Sequence, residues 1–185
     1  MSDPQIRKIA DRLKTFREEN DMSVEWASKA IGVTADELES YESGEADIPV
    51  SFLYIAAQKY GVELSTLLTG EEPHEQKFNV VRKGEGIAVN RQREYQYQSL
   101  CADFAHKKME PLLVTVEAKS DDTPLSFNEH PGQEFHYILE GRMQVTIEDQ
   151  EIILNPGDSL MFNSEHPHAL KALDNKPVRF LAIIL

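Results

Sequence analysis

Apolar and polar positions alternate along this chain with two different periods. Over 4–68 the apolar residues recur every three or four positions, as on one face of a helix. In "IRKIADRLKTF" this places Ile6, Ile9, Leu13 and Phe16 on one side, with Asp3 as a cap and Pro4 in the first turn. A short second helix is expected after Ser23, carrying Trp26, Ala27 and Ala30. "IGVT" reads as a turn, and Thr34-x-x-Glu37 reads as a capping box opening a third helix. Pro49 begins a fourth helical region through Tyr60, and "GVELSTLLTG" adds a short helix.

Past "EEPHEQK" (71–77), a charged and apolar-poor linker, the period shortens. "LLVTVEA", "EFHYILEG", "MQVTIED", "EIIL", "SLMF" and "VRFLAIIL" are short β-rich runs between turn signals such as "HPG", "NPGDS" and "DNKP". "REYQYQSLC" (93–101) reads as a strand at the start of the barrel, of a kind that pairs across a dimer. The expectation is an α + β chain of two domains. An all-α bundle spans 1–70, the linker 71–77, and an all-β sandwich or barrel 78–185.

Composition changes this picture in two ways. The single cysteine, Cys101, forms no internal disulfide, and no apolar run approaches the ~20 residues that span a bilayer. With no apolar signal core at the start, these features predict a cytoplasmic protein without a membrane partner. The net charge is −13, and residues 1–70 hold seven basic against thirteen acidic groups. The helical half therefore has no general attraction for a polyanion.

"IADRLKTFREENDMSVEWASKAIGVTADELESYESGEADIP" resembles the helix-turn-helix of phage-repressor-like (Xre-type) transcriptional regulators. The frame matches at Leu13, Arg17, Ser23, Ala27, Gly32, Val33, Tyr41, Glu42, Gly44 and Pro49. The resemblance implies a structural ion pair between Arg17 and Glu42. It places the DNA-facing positions at Ser23, Val24, Thr34, Ala35, Asp36, Glu37 and Ser40. Phosphate contacts would fall to Arg7, Lys8, Arg12, Lys14 and Lys29. The third helix departs from the family in carrying Asp36, Glu37, Glu39 and Glu42 with no Lys or Arg. Acids in a helix's first turn stabilise it by about 0.3–1 kcal/mol each. Near DNA they remove the non-specific attraction, although a carboxylate accepts from cytosine N4.

"HPGQEFHYILEG" and "NPGDSLMFNSEHPHAL" resemble the paired motifs of the cupin superfamily, a double-stranded β-helix barrel. His130, Glu134 and Gly141 fit the first motif; Gly157, Asp158 and His168 fit the second; Asn128 stands at the position of a further His. The resemblance implies a divalent metal (Zn, Fe, Mn or Ni) on His130, Glu134 and His168, a set that also suits non-haem iron. Asn128 and His136 are the ligand-binding candidates, His136 because strand alternation turns it the same way as Glu134. The alternative is a metal-free pocket for an organic anion or polar metabolite. His74 and His106 are read as solvated.

The order of parts resembles bacterial regulators that fuse a helix-turn-helix to one cupin. It implies a ligand-responsive transcriptional regulator with DNA and a small-molecule effector as partners, acting as a homodimer and not as an enzyme. Two other readings use the same residues. One is a metal-dependent cupin enzyme of dioxygenase or isomerase type with a degenerate helix-turn-helix. The other is a protein-interaction module whose acidic helix docks on a basic partner.

Overall fold

The computed structural model describes residues 4–46, 48–90, 95–120 and 123–185. The expected cap Asp3, the acid Asp47 and the start of "REYQYQSLC" lie outside the described residues. The chain divides into two units. The helical unit runs to Phe78 and includes Asp103–His106, and the strand unit holds Asn79–Ala102 and Lys107–Leu185.

Five helices build the first unit: α1 Pro4–Glu19, α2 Val24–Ile31, α3 Ala35–Glu42, α4 Val50–Tyr60 and α5 Leu64–Thr69. The α1 stripe is buried at Ile6, Ile9 and Leu13, while Phe16 is half-buried. Leu38, Ile48, Leu53, Ala56 and Leu67 fill the same core. The α2–α3 junction follows from local chemistry. Ser23 Oγ accepts from the Trp26 N–H and caps α2, and Gly32 ends it in the left-handed conformation with φ 91°. Thr34 Oγ1 then accepts from the Glu37 N–H, and Glu37 Oε2 accepts from the Thr34 N–H at 2.9 Å. This reciprocal cap fixes where α3 starts. Of the three α2 residues expected to pack, Ala27 is buried, Ala30 is half-buried and Trp26 is 52% exposed.

The second unit is antiparallel throughout. Its strands are β1 Ile87–Asn90, β2 Tyr95–Ser99, β3 Glu110–Val116, β4 Gln133–Glu140, β5 Met143–Ile147, β6 Gln150–Leu154, β7 Ser159–Asn163, β8 His168–Ala172 and β9 Val178–Ile184. They form a six-stranded sheet, β1-β2-β3-β9-β4-β7, and a three-stranded sheet, β6-β5-β8. The C-terminal run is the central strand β9, paired with β3 on one side and β4 on the other. Its Val178, Phe180, Ala182 and Ile184 are buried while Arg179, Leu181 and Ile183 alternate outward. A hydrogen bond from Tyr95 Oη to the Leu170 carbonyl joins the two sheets, and the backbone of Asn128, outside the named strands, bridges to His168 at the start of β8.

Three features were not anticipated. β1 pairs with β2, so the "REYQYQSLC" strand is flanked on both sides instead of forming a free edge. β8 begins at His168 itself. The segment Asp103–His106 sits with the helices: the His74 ring bonds to Asp103 Oδ1 at 2.7 Å, and the His106 N–H donates to Glu63 Oε1 at 2.9 Å. His74 and His106 are exposed, yet both are engaged in pairs, His106 with Glu75 at 3.5 Å.

Candidate functional site

Strand pairing brings together residues that the sequence keeps far apart. Glu134 is the second residue of β4, and His136 follows on the same inner face. His130 precedes the strand across the turn at Gly132. That turn needs glycine: its φ is 105°, and a Cβ there would stand 2.1 Å from the Leu185 carbonyl oxygen. His168 enters from the other sheet, held in place because its N–H and carbonyl pair with the Asn128 backbone at 2.9 and 2.8 Å. Gly141 closes the motif in the left-handed conformation, where a side chain would strike the Pro177 carbonyl.

His130, Glu134 and His168 each offer a ligand atom within 4.8 Å of the other two, and all three are buried. His130 Nε2 lies 2.6 Å from Glu134 Oε1, His136 Nε2 lies 2.6 Å from Oε2, and His168 Nε2 lies 3.7 Å from Oε1. The outer nitrogens are tied to the backbone: His130 Nδ1 to the Pro131 carbonyl at 3.2 Å and His168 Nδ1 to the His166 carbonyl at 3.0 Å. A ring whose Nδ1–H donates to its carbonyl would turn an Nε2 lone pair to a metal, the tautomer a ligand needs; a ring that carries its proton on Nε2 donates to Glu134 instead. Two such imidazoles and a carboxylate fit a divalent metal by donor chemistry and by orientation.

The electrostatics agree with that use. Burial pushes the Glu134 carboxyl up, but hydrogen bonds from His130 and His136 outweigh it and hold the group well below the usual carboxylate range. Burial pulls the His168 imidazole down, against the pull of Glu134, which favours its neutral form. Phe162 forms a wall, its ring centroid 5.0 Å from that of His168 and 5.2 Å from that of His136. Only its inward parity in "SLMF" hinted at that position. Asn128 is half-buried and meets the cluster through its backbone. Gly157 and Asp158 form the second-motif turn, where Asp158 Oδ2 accepts from the Asn155 N–H at 2.7 Å. His166 lies outside the cluster, exposed and paired with Glu148.

The helix-turn-helix surface is a separate matter. Arg17 and Glu42 form a buried fork, Nε to Oε1 at 2.7 Å and Nη2 to Oε2 at 2.8 Å. Leu38 and Glu42 face the core, so α3 presents Asp36, Glu37 and Glu39 to solvent, with Ala35 and Ser40 half-buried beside them. Ser23 and Thr34 are exposed caps and Val24 is half-buried. Glu37 is occupied by Thr34, whose N–H and hydroxyl hold its carboxyl below the ordinary value. Among the cations expected to hold phosphate, Arg12 is committed elsewhere: Nη1 donates to the Leu67 and Leu68 carbonyls at 3.1 and 2.7 Å. Lys14 lies 3.9 Å from Glu18. Lys8 and Lys29 are exposed. No helix among the described residues is long and apolar enough to cross a membrane.

Known proteins share both halves. Residues 8–73 match the helix-turn-helix domain family and residues 112–184 the cupin domain family. The HTH-type transcriptional regulator PuuR of Escherichia coli is 24% identical over 161 residues, which is 85% of this chain and 84% of that one. An HTH_3 family transcriptional regulator from Vibrio cholerae superposes with a TM-score of 0.69 at 20% identity, over 97% of this chain and 96% of that one. Hydroxypropylphosphonic acid epoxidase from S. wedmorenis gives 0.51 at 23% identity, over 98% of each chain. The likeness to the two structures is one of fold. The two family matches, in their order along the sequence, show a helix-turn-helix domain at residues 8–73 followed by a cupin domain at residues 112–184.

Proposed function

We propose that this protein is a ligand-responsive transcriptional regulator, in which the helix-turn-helix engages DNA and the cupin barrel takes up a small molecule over a divalent metal held by His130, Glu134 and His168. The observation that carries this reading is the match to a transcriptional regulator across 85% of the chain, which spans both domains. The metal reading rests on the two backbone-anchored imidazoles that turn Nε2 toward Glu134. Once bound, the metal would polarise and orient an oxygen- or nitrogen-bearing effector. Phe162 excludes water from one side, and His136 is placed beside the same carboxylate.

DNA contact would come from Ser23, Val24, Thr34, Ala35, Asp36, Glu37 and Ser40. With so few exposed cations near α3, affinity rests on base contacts more than on phosphate attraction. Two copies would supply two half-sites. The outer face of the six-stranded sheet suits that assembly. Register places Leu113, Leu181, Ile183, Phe135, Tyr137 and Met161 on one side, nearly free of charge in a chain that is 28% charged. A second copy is its occupant, and Met161→Glu should shift the protein to monomer in sedimentation.

The deciding experiment is a binding selection on random duplexes at low salt, with and without Co(II). An enriched sequence supports the reading; none at any salt overturns it. Asp36→Asn with Glu39→Gln should raise non-specific binding, and unchanged binding would mean that this face does not meet DNA.

A second reading draws on His130, Glu134 and His168, a set that serves catalysis as readily as sensing: metal-dependent oxidation of a small organic substrate, as the epoxidase likeness suggests. Incubation with Fe(II), air and candidate substrates, with oxygen uptake as readout, distinguishes it; no uptake above free metal removes it.

A further inference from the structure

Glu134 has two oxygens, and the barrel treats them differently. Oε1 faces the two imidazoles proposed as ligands, at 2.6 Å from His130 Nε2 and 3.7 Å from His168 Nε2. Among the described residues, Oε2 is bonded by His136 Nε2, at 2.6 Å. His136 is 1% exposed, and its ring is clamped by Phe162 at 5.2 Å and by Phe180 at 4.8 Å between centroids. The ring therefore has little freedom to swing toward a different partner.

Its protonation pattern follows from its surroundings. Nδ1 is buried and has no hydrogen-bond partner among the described residues. A proton there would lack an acceptor, and Oε2 would then face a lone pair. The neutral ring is better satisfied with its proton on Nε2, donated to Glu134. An apolar side chain would fill the gap between two phenylalanines without leaving a nitrogen unpartnered. What the imidazole adds is one N–H aimed at Oε2.

We propose that His136 is a positioning residue that holds Oε2 of Glu134, so that Oε1 is the oxygen the carboxylate would offer a metal, and the position a second oxygen would take is left for the effector. This rests on the metal reading of the same site. A partner behind a ligating carboxylate typically changes metal affinity by about 10–100-fold.

The test uses the full chain, titrated with Co(II) against a competing chelator, with the visible Co(II) spectrum recorded at saturation. His136→Phe keeps the aromatic packing and removes the N–H; it should lower affinity about 10–100-fold and alter the spectrum. His136→Gln returns an N–H donor at a similar reach and should restore both to near wild type. A His136→Phe chain with wild-type affinity and spectrum overturns the proposal, as does a folded His136→Gln chain as impaired as His136→Phe. Should His136→Phe not fold, the infrared difference spectrum of Co(II) addition to the wild type decides. A wide gap between antisymmetric and symmetric carboxylate stretches is expected for one-oxygen ligation, and a narrow gap overturns it. Wild-type protein that takes up no Co(II) would sink the metal reading and this inference together. Uptake that is indifferent to residue 136 would sink this inference alone.

Discussion

Glu42 and Glu134 are buried to almost the same degree, 7% and 8% exposed, one in each unit. Both have each oxygen engaged at short distance. Their partners make them different objects. Glu42 faces one guanidinium, permanently charged and shaped to fork onto a carboxylate. That pair is closed, with nothing left to exchange. Glu134 faces three imidazoles, neutral-capable groups that bind metals and can trade one partner for another. A buried acid becomes a scaffold or a site according to the exchangeability of what neutralises it.

The largest effect is expected at Arg17. Arg17→Met strands a buried carboxylate and should cost the helical unit about 3–5 kcal/mol in denaturant unfolding. Trp26, the single tryptophan, lies in that unit and reports its unfolding. Adding Glu42→Leu should recover most of the loss; a negligible effect of Arg17→Met would show that the fork does not hold the domain.

In the barrel the expected loss is of binding instead. His168→Ala removes a proposed ligand from β8 and should reduce Co(II) affinity by at least ~100-fold, beyond the usual effect of an outer partner. The Trp26 signal should not move. Unchanged uptake would place any metal elsewhere.

A smaller effect is expected at Thr34. Thr34→Ala deletes the reciprocal cap and should cost about 1 kcal/mol in the same fluorescence-detected unfolding. It asks whether the acid Glu37 is structural, as Glu42 is; stability unchanged within error would free Glu37 for another role.

The smallest effect concerns Asp103–His106. The hydrogen bond and charge of Asp103 raise the His74 pKa above its ordinary 6.5. A raised histidine stabilises fully below that value, and its contribution disappears as pH rises through the folded pKa. Amide exchange at Phe104 and Ala105, corrected for its intrinsic pH dependence, should therefore accelerate as pH rises past neutrality. His74→Gln should abolish that dependence, and a flat profile in wild type would remove the pair as a fastener.

Much of the helical unit was legible because its signals are local. Ser23, Gly32, Thr34 and Glu37 act on neighbours three or four residues away, so a linear reading finds them. The packing of Trp26 was not legible, since helical spacing alone does not say how wide the buried face is. Nor was β1: "IAVN" is too short to stand out, and only pairing with β2 makes it a strand. The commitment of Arg12 to the α5 carbonyls crosses more than fifty residues and leaves no trace in spacing.

The candidate site divides in the same way. The turn from His130 to Glu134 and the inward parity of His136 follow from the sequence, because the period of a strand is fixed by its backbone. The sequence also determined the two-domain plan, the acidity of α3 and the ligand types available. The tertiary structure alone decided that β8 brings His168 to within 3.7 Å of Glu134, and that Phe162 and Phe180 clamp His136. Those relations depend on strand order and register between distant segments. Cooperative packing sets both, and no local window of residues contains them.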